Sequence, residues 1–265
     1  MVEFAPYDLE NPQSRPPTLG LVVLQSDETI EDEFRNYLQN TRVQLYHTRI
    51  ESGVTVSPLT LQAMESKIKT AVGLFPPEIC FNVIGYACTS ASTLIGEKRV
   101  EDLIISEKPK ILVTNPATAA KSALKALGIN RVAILTPYTI EITYDIVNLL
   151  ETEDFLVPCV TTFNEEVESK VARIKPESIL AAVEKISESC HVDAIFISCT
   201  NLRCARIITE AERRTRIPVL SSNLTLLWHM LQLAGLKTAK IGKSRLLELP
   251  ISDQSKTLNS TNNDI

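Results

Sequence analysis

The sequence predicts an α/β fold of parallel sheets built as two similar halves. Three observations carry that expectation. Short runs rich in Val, Ile, Leu and Phe alternate with helical patterns along most of the chain, the order that lays parallel strands under crossover helices. Several of these runs are apolar at successive positions, as strands covered on both faces are. One unit also occurs twice: Phe81 to Ser90 and Val192 to Asn201 each pass from an apolar strand to Cys-Thr and then to Ser or Asn. Cys88 and Cys199 therefore stand at the carboxyl ends of two strands, the edge at which open α/β sheets bind ligands.

The elements follow in order. Residues 1–18 are polar, carry Pro6, Pro12, Pro16 and Pro17, and read as an extended arm. Leu19 to Leu24 is the first strand, ending at Gln25-Ser26-Asp27-Glu28 before a helical pattern from Thr29 to Leu38. Taken alone, Asp27 reads as a helix N-cap. Val43 to Ile50 is a second strand, and Ser57-Pro58 opens a helix to Leu74 with proline at its favoured first position. After the Cys88 strand come a helix from Glu97 to Ser106, a short strand from Ile111 to Val113, and a helix to Leu127 capped by Asn115. Val132 to Leu135 is a strand ending in Thr136-Pro137-Tyr138, followed by a helix carrying Glu141, Tyr144 and Val147. Phe155 to Thr161 is a strand, and Val167 to Ile174 and Glu177 to Ser189 are helices separated by Pro176. The Cys199 strand leads to a helix from Cys204 to Arg214, a strand from Ile217 to Leu220, and an apolar helix from Leu224 to Leu233 stopped by Gly235. Beyond Lys243 the chain turns polar, and Ser252 to Ile265 reads as a disordered tail. The expected units are the arm, 1–18; a first α/β domain, 19–114 plus 222–240, with the Cys88 loop; a second, 115–221, with the Cys199 loop; and a polar tail, 241–265.

Composition narrows the function. With 265 residues, 44% hydrophobic and 22% charged, the chain is an ordinary globular protein large enough for two cores. A net charge of −5 without a basic cluster argues against nucleic acid as a partner. No apolar run approaches the roughly 20 residues that span a bilayer, so no membrane association is expected. Met1-Val2-Glu3-Phe4-Ala5-Pro6 has neither the basic start nor the apolar core of an export signal, so a cytoplasmic protein with reduced thiols is expected. No two cysteines show Cys-x2-Cys spacing, and His47, His191 and His229 lie far apart, which disfavours a zinc site. The glycines form neither dinucleotide nor phosphate-loop patterns, so no nucleotide cofactor is expected.

The repeated thiols are the chemical signal. A helix start after each cysteine would offer free backbone N–H groups and a partial positive charge, which favour a thiolate and hold a carboxylate. Two such loops facing each other would place one thiol on either face of a small acid. One thiolate then removes the α-proton while the opposite thiol delivers another, through an enediolate whose charge the loop donors stabilise. The same pair would also serve nucleophilic attack on a carbon–carbon double bond. Most cysteines are small core hydrophobes, and Cys80, Cys159, Cys190 and Cys204 read that way. Arg49 and Arg203 read as surface groups, and Trp228 and His229 as core packing.

With those residues located, the chain resembles the aspartate/glutamate racemase superfamily, in particular its maleate cis-trans isomerase branch and the ectoine-utilisation racemase-like proteins. The resemblance rests on Val23 to Glu31, Gly85 to Ser90, Thr136-Pro137-Tyr138, Val171 to Ile174, Ser198 to Arg203 and Pro218 to Asn223. It implies two flavodoxin-like parallel-sheet domains related by a pseudo-twofold axis, with the active site between them and no cofactor. It implies Cys88 and Cys199 as the catalytic pair and Tyr138 as a carboxylate ligand. Thr89, Ser90, Thr200 and Asn201 complete the expected carboxylate site, and a homo-oligomer, dimer or higher, is expected. Maleate isomerases carry asparagine where this chain has Asp27, and a second asparagine where it has Glu168-Ser169-Lys170. A carboxylate at position 27 would repel a dicarboxylate and pair with an amine. The expected function is therefore racemisation or isomerisation of a small, amino-bearing carboxylic acid. Maleate-type isomerisation, arylmalonate-type decarboxylation and a non-catalytic acid-binding protein stand as alternatives.

Overall fold

The computed structural model describes residues 2–11, 15–239 and 241–249. Its first half runs β1 (Thr18–Leu24), α1 (Ile30–Leu38), β2 (Gln44–Ile50), α2 (Pro58–Ala63), a single 3-10 turn (Glu65–Lys67), α3 (Ile68–Gly73), β3 (Val83–Ala87), α4 (Thr89–Ile95), α5 (Glu97–Glu107) and β4 (Leu112–Thr114). The second half runs α6 (Pro116–Ala126), β5 (Val132–Thr136), α7 (Ile140–Glu151), β6 (Val160–Thr162), α8 (Glu168–Val171), α9 (Pro176–Ser189), β7 (Ala194–Ile197), α10 (Ile208–Thr215), β8 (Val219–Ser221) and α11 (Ser222–Leu233). Two four-stranded sheets result, ordered β2-β1-β3-β4 and β6-β5-β7-β8, with every pair parallel. The orders are the same when each half is counted from its own first strand, so the α/β fold in two matching halves is as expected. No helix among the described residues is long and apolar enough to cross a membrane.

The central strands show why these residues make strands. All seven residues of β1 are buried. With a period of two, Leu19, Leu21 and Val23 enter one core with Ile30, Phe34 and Met230, while Val22 and Leu24 enter the other. β3, β5, β7 and β8 are likewise buried along their whole length. α11 is buried at ten of its twelve residues, the behaviour of a helix apolar on nearly every face. It packs with β3 and α1 of the first half, and a Cβ at Gly85 would come within 2.7 Å of Met230 Sδ. Glycine is what lets β3 and α11 approach. Gly96, at φ +95°, makes the corner between α4 and α5 that an L side chain would strain.

Several elements differ from expectation for identifiable reasons. β6 is confined to Val160–Thr162, because Leu156 makes only an isolated bridge to Arg131 and Pro158 has no N–H to give a ladder. The helix expected from Cys204 begins at Ile208, since the N–H groups of Cys204 and Ala205 both go to Glu33 Oε1, at 2.6 and 2.7 Å. α8 is four residues long: Val167 is drawn into an antiparallel bridge to Thr55 of the first half, and past Val171 the turns tighten, Arg173 N and Ile174 N donating to Lys170 O and Val171 O at 3.0 Å, before Pro176. The helix expected over 57–74 is interrupted at 65–67, yet Leu61, Met64, Ile68, Ala71 and Val72 all remain in the core.

The cysteines bring a correction. Cys159, just before β6, and Cys190, the C-cap of α9, are joined as a disulfide, with Cα atoms 6.4 Å apart. Both elements return to the amino-terminal edge of the second sheet, opposite the end where Cys199 lies. Neither is therefore the free core thiol expected. Cys80 is exposed rather than buried, and only Cys204 among these four fits the core reading. The expected tail begins later than residue 241: Leu246 and Leu247 are fully buried, and Leu247 O accepts from Thr238 Oγ1 at 2.8 Å. The disorder expected for 252–265 lies outside the described residues.

Candidate active site

Cys88 ends β3 and caps α4. Its extended backbone, φ −152°, turns the side chain back over the helix start, where Sγ accepts from Ala91 N at 3.4 Å and lies 3.5 Å from Ser90 Oγ. Cys199 follows β7, but Thr200 and Asn201 form a turn, and no helix starts before Ile208. The expectation of a helix start behind each thiol thus holds for Cys88 alone. Cys199 Sγ accepts instead from Asn201 N at 3.3 Å, and the Tyr138 hydroxyl faces the same sulfur. Both thiols are free and 4% exposed. One site holds them: Thr200 Oγ1 reaches Ala87 O, beside Cys88, at 3.5 Å, and Tyr138 feels the charge of both sulfurs.

The loops are fixed across the two halves by polar ties. Asn201 Oδ1 accepts from Glu28 N at 2.9 Å, and its Nδ2 donates to Glu168 Oε2 at 2.8 Å. Thr29 Oγ1 donates to Asn201 O at 2.9 Å. Asn223, at the start of α11, donates to Thr200 O at 2.8 Å and to Glu33 Oε2 at 2.9 Å. Thr89 Oγ1 pairs with Ser222 Oγ at 2.7 Å. Two segments close over the site: Val56 N donates to Glu166 O at 2.9 Å and Glu168 N to Val54 O at 3.2 Å, around the Thr55–Val167 bridge.

The electrostatics follow from burial. Cys88 is pushed up to about 12 by loss of water; Ser90 and the Ala91 N–H pull it back, while Glu168 and Asp27 push it further. Cys199 is raised well above an ordinary thiol, by burial and then by Glu168, with Tyr138 and the Asn201 N–H opposing. Glu168 is pushed up to about 7 by burial, with Asn201 opposing and Asp27 adding. Asp27 is raised by burial against the Ile30 and Thr29 N–H groups, the Thr200 hydroxyl and the Arg49 charge. Burial is thus the main force keeping both thiols neutral, and a positive charge brought beside them would favour a thiolate.

The eight residues expected at the site lie on the loops that these hydrogen bonds tie together. The side chain of Asn201 is committed to joining the halves and the Thr89 hydroxyl to Ser222, which leaves Ser90, Thr200, Tyr138 and Asp27 nearest the sulfurs. Arg49 is a structural group: its guanidinium donates to the carbonyls of Leu24, Gln25 and Asp27 and pairs with Glu31. His229 bonds Thr114 Oγ1 at 2.7 Å and burial pushes it down to about 4, as befits a packed neutral ring. Glu168, Glu33 and Asn223 enter the site without a sequence signal for their roles. For Glu168 the one hint is its position at a departure from the family pattern.

Comparison with known proteins shows the family and the fold. A family model described as arylmalonate decarboxylase (Amdase) matches residues 63–247. A maleate isomerase of Nocardia farcinica is 31% identical over 240 residues, covering 86% of this chain and 94% of that protein. An arylmalonate decarboxylase of Bordetella bronchiseptica is 33% identical over 125 residues, covering 46% of this chain and 51% of that protein. Among solved structures, a variant of the Nocardia farcinica maleate cis-trans isomerase with a covalently bound succinylcysteine intermediate superposes with a TM-score of 0.80 and 29% identity. That match covers 88% of this chain and 99% of the other.

Proposed function

This chain belongs to the arylmalonate decarboxylase (Amdase) family, and on that footing we propose that it is a cofactor-independent isomerase that racemises a small carboxylic acid through Cys88 and Cys199. The observation that carries the reading is the pair of free, buried thiols at matched strand ends, with Tyr138 beside both. In each turnover one sulfur, as thiolate, takes the proton from the carbon next to the carboxylate. The C–H electron pair moves into the carboxylate to give an enediolate, and the other sulfur, as thiol, returns its own proton to the opposite face. Proton and charge balance, and the two sulfurs have exchanged states. Ser90, Thr200 and Tyr138 supply hydroxyl donors where the extra oxygen charge develops. The test is incubation with a panel of small acids in D2O. Exchange at the α-carbon with loss of optical rotation is expected, and absence of exchange with every acid would refute the racemase.

A second reading keeps the thiols and changes the bond made. The succinylcysteine of the Nocardia farcinica isomerase favours covalent addition of one thiolate to a double bond, rotation, and expulsion of the sulfur. Within this chain the asymmetry between the loops suits that role for Cys88, which alone has a helix behind it. Incubation with maleate and peptide mass analysis separates the two readings: a succinylated Cys88 peptide with fumarate release supports addition, and an unmodified peptide supports proton transfer.

A further inference from the structure

The site buries two carboxyl groups, Asp27 and Glu168, and burial disfavours the charge of each. Asp27 is 3% exposed; its Oδ1 accepts from Thr29 N at 2.8 Å and Ile30 N at 2.9 Å, while its Oδ2 has no donor within hydrogen-bond distance, although the Thr200 hydroxyl stands nearby. Glu168 is 9% exposed, and it is held in place by Asn201 and by its own backbone pairing to Val54. Asn201 links them to Cys199: its Nδ2 donates to Glu168 Oε2 at 2.8 Å, its Oδ1 accepts at 2.9 Å from the N–H of Glu28, next to Asp27, and its own N–H donates to Cys199 Sγ at 3.3 Å. The cation that reaches Asp27 is Arg49, whose guanidinium is already engaged with three carbonyls and Glu31. An unpaired buried carboxylate oxygen is costly, and two carboxylates beside two acidic thiols are more so. A cationic group arriving with the ligand would relieve that cost.

We propose that Asp27 and Glu168 together bind the ammonium group of the substrate, so that the enzyme selects an amino-bearing carboxylic acid over its unsubstituted counterpart. This rests on the two-thiol reading and names the substrate class for it. Asp27 comes from the end of β1, and Glu168 from the segment bridged to Thr55. The ammonium therefore contacts both halves and draws the closing segment onto the ligand. The same charge offsets the burial that chiefly keeps the thiols neutral and the two carboxyl groups that add to it, so the sulfur that must be a thiolate ionises once the correct substrate is bound. An acid lacking the amine adds negative charge and leaves both thiols protonated.

The test pairs each amino acid with the acid that lacks the amine: alanine with propionate, aspartate with succinate, 2,4-diaminobutyrate with butyrate. Thermal shift reads binding and α-proton exchange in D2O reads turnover. At least one amino acid is expected to raise Tm and to exchange at least about a hundredfold faster than its partner. Asp27→Asn and Glu168→Gln keep the hydrogen-bond acceptors that their neighbours use, and circular dichroism confirms that they fold. Each is expected to lose that preference. Equal responses within every pair, including no response from either member, overturn the ammonium clamp, as does a preference that survives both substitutions. The two-thiol reading fails separately, when no acid of either set exchanges in a way that depends on Cys88 and Cys199.

Discussion

At the scale of single residues, the thiols are the sharpest point of attack. Replacing either by serine puts a far weaker acid on one face of the α-carbon. Racemisation is expected to fall by about a thousandfold or more in Cys88→Ser and in Cys199→Ser. The remaining thiol still serves its own face, so the two variants should wash deuterium into opposite enantiomers, as chiral chromatography with mass detection would show. Equal exchange into both enantiomers by either variant would assign the proton to another group. A second expectation concerns pH. Glu33 and Glu168 are raised from an ordinary 4.5 to about 7 in the folded protein. Between those values the folded state holds more protons than the unfolded one, so stability falls as pH rises through that window and levels off above it. Chemical denaturation at pH 5 and pH 8 should show the lower midpoint at pH 8, with Glu168→Gln removing part of the difference. The carboxylates that are lowered instead, such as Glu210 at about 2, titrate below this window and do not mask it.

At the scale of elements, tight contacts locate the stability. Gly85→Ala drives a methyl against Met230 and separates β3 from α11, at a cost of about 1–3 kcal/mol that a thermal melt would register. Much of this scaffold was legible in the sequence. The β1, β3, β5 and β7 runs are apolar at nearly every position, and Pro58 and Pro116 marked their helix starts. The repeated Cys-Thr unit placed both thiols at strand ends without any contact information. What escaped is what depends on partners distant in the chain. The late start of α10 is set by Glu33, 171 residues before Cys204, and Val167 is drawn out of its helix by a bridge to Thr55. The pairing of Cys159 with Cys190 needed the knowledge that β6 begins beside the end of α9. Glu168 stood out only as a departure from the family's asparagine, and the fold gives it a place by bonding it to Asn201.

At the scale of the whole molecule, the two halves act as jaws whose contents are sealed. Cys80 is exposed while Cys88 and Cys199 are buried, so brief treatment with iodoacetamide should label Cys80 first, as peptide mapping would show. Early labelling of Cys199 would mean that the closed arrangement is short-lived in solution. The seal itself is slight: two backbone hydrogen bonds around the Thr55–Val167 bridge join segments from opposite halves. We expect a ligand to reach the sulfurs by parting that seam. The seam therefore makes each turnover a mechanical event that displaces solvent. Where the chemistry is fast, the enzyme should run at the speed of its own door. Adding sucrose or glycerol should then slow kcat in proportion to the viscosity of the medium, while a poor substrate limited by proton removal should show no such friction.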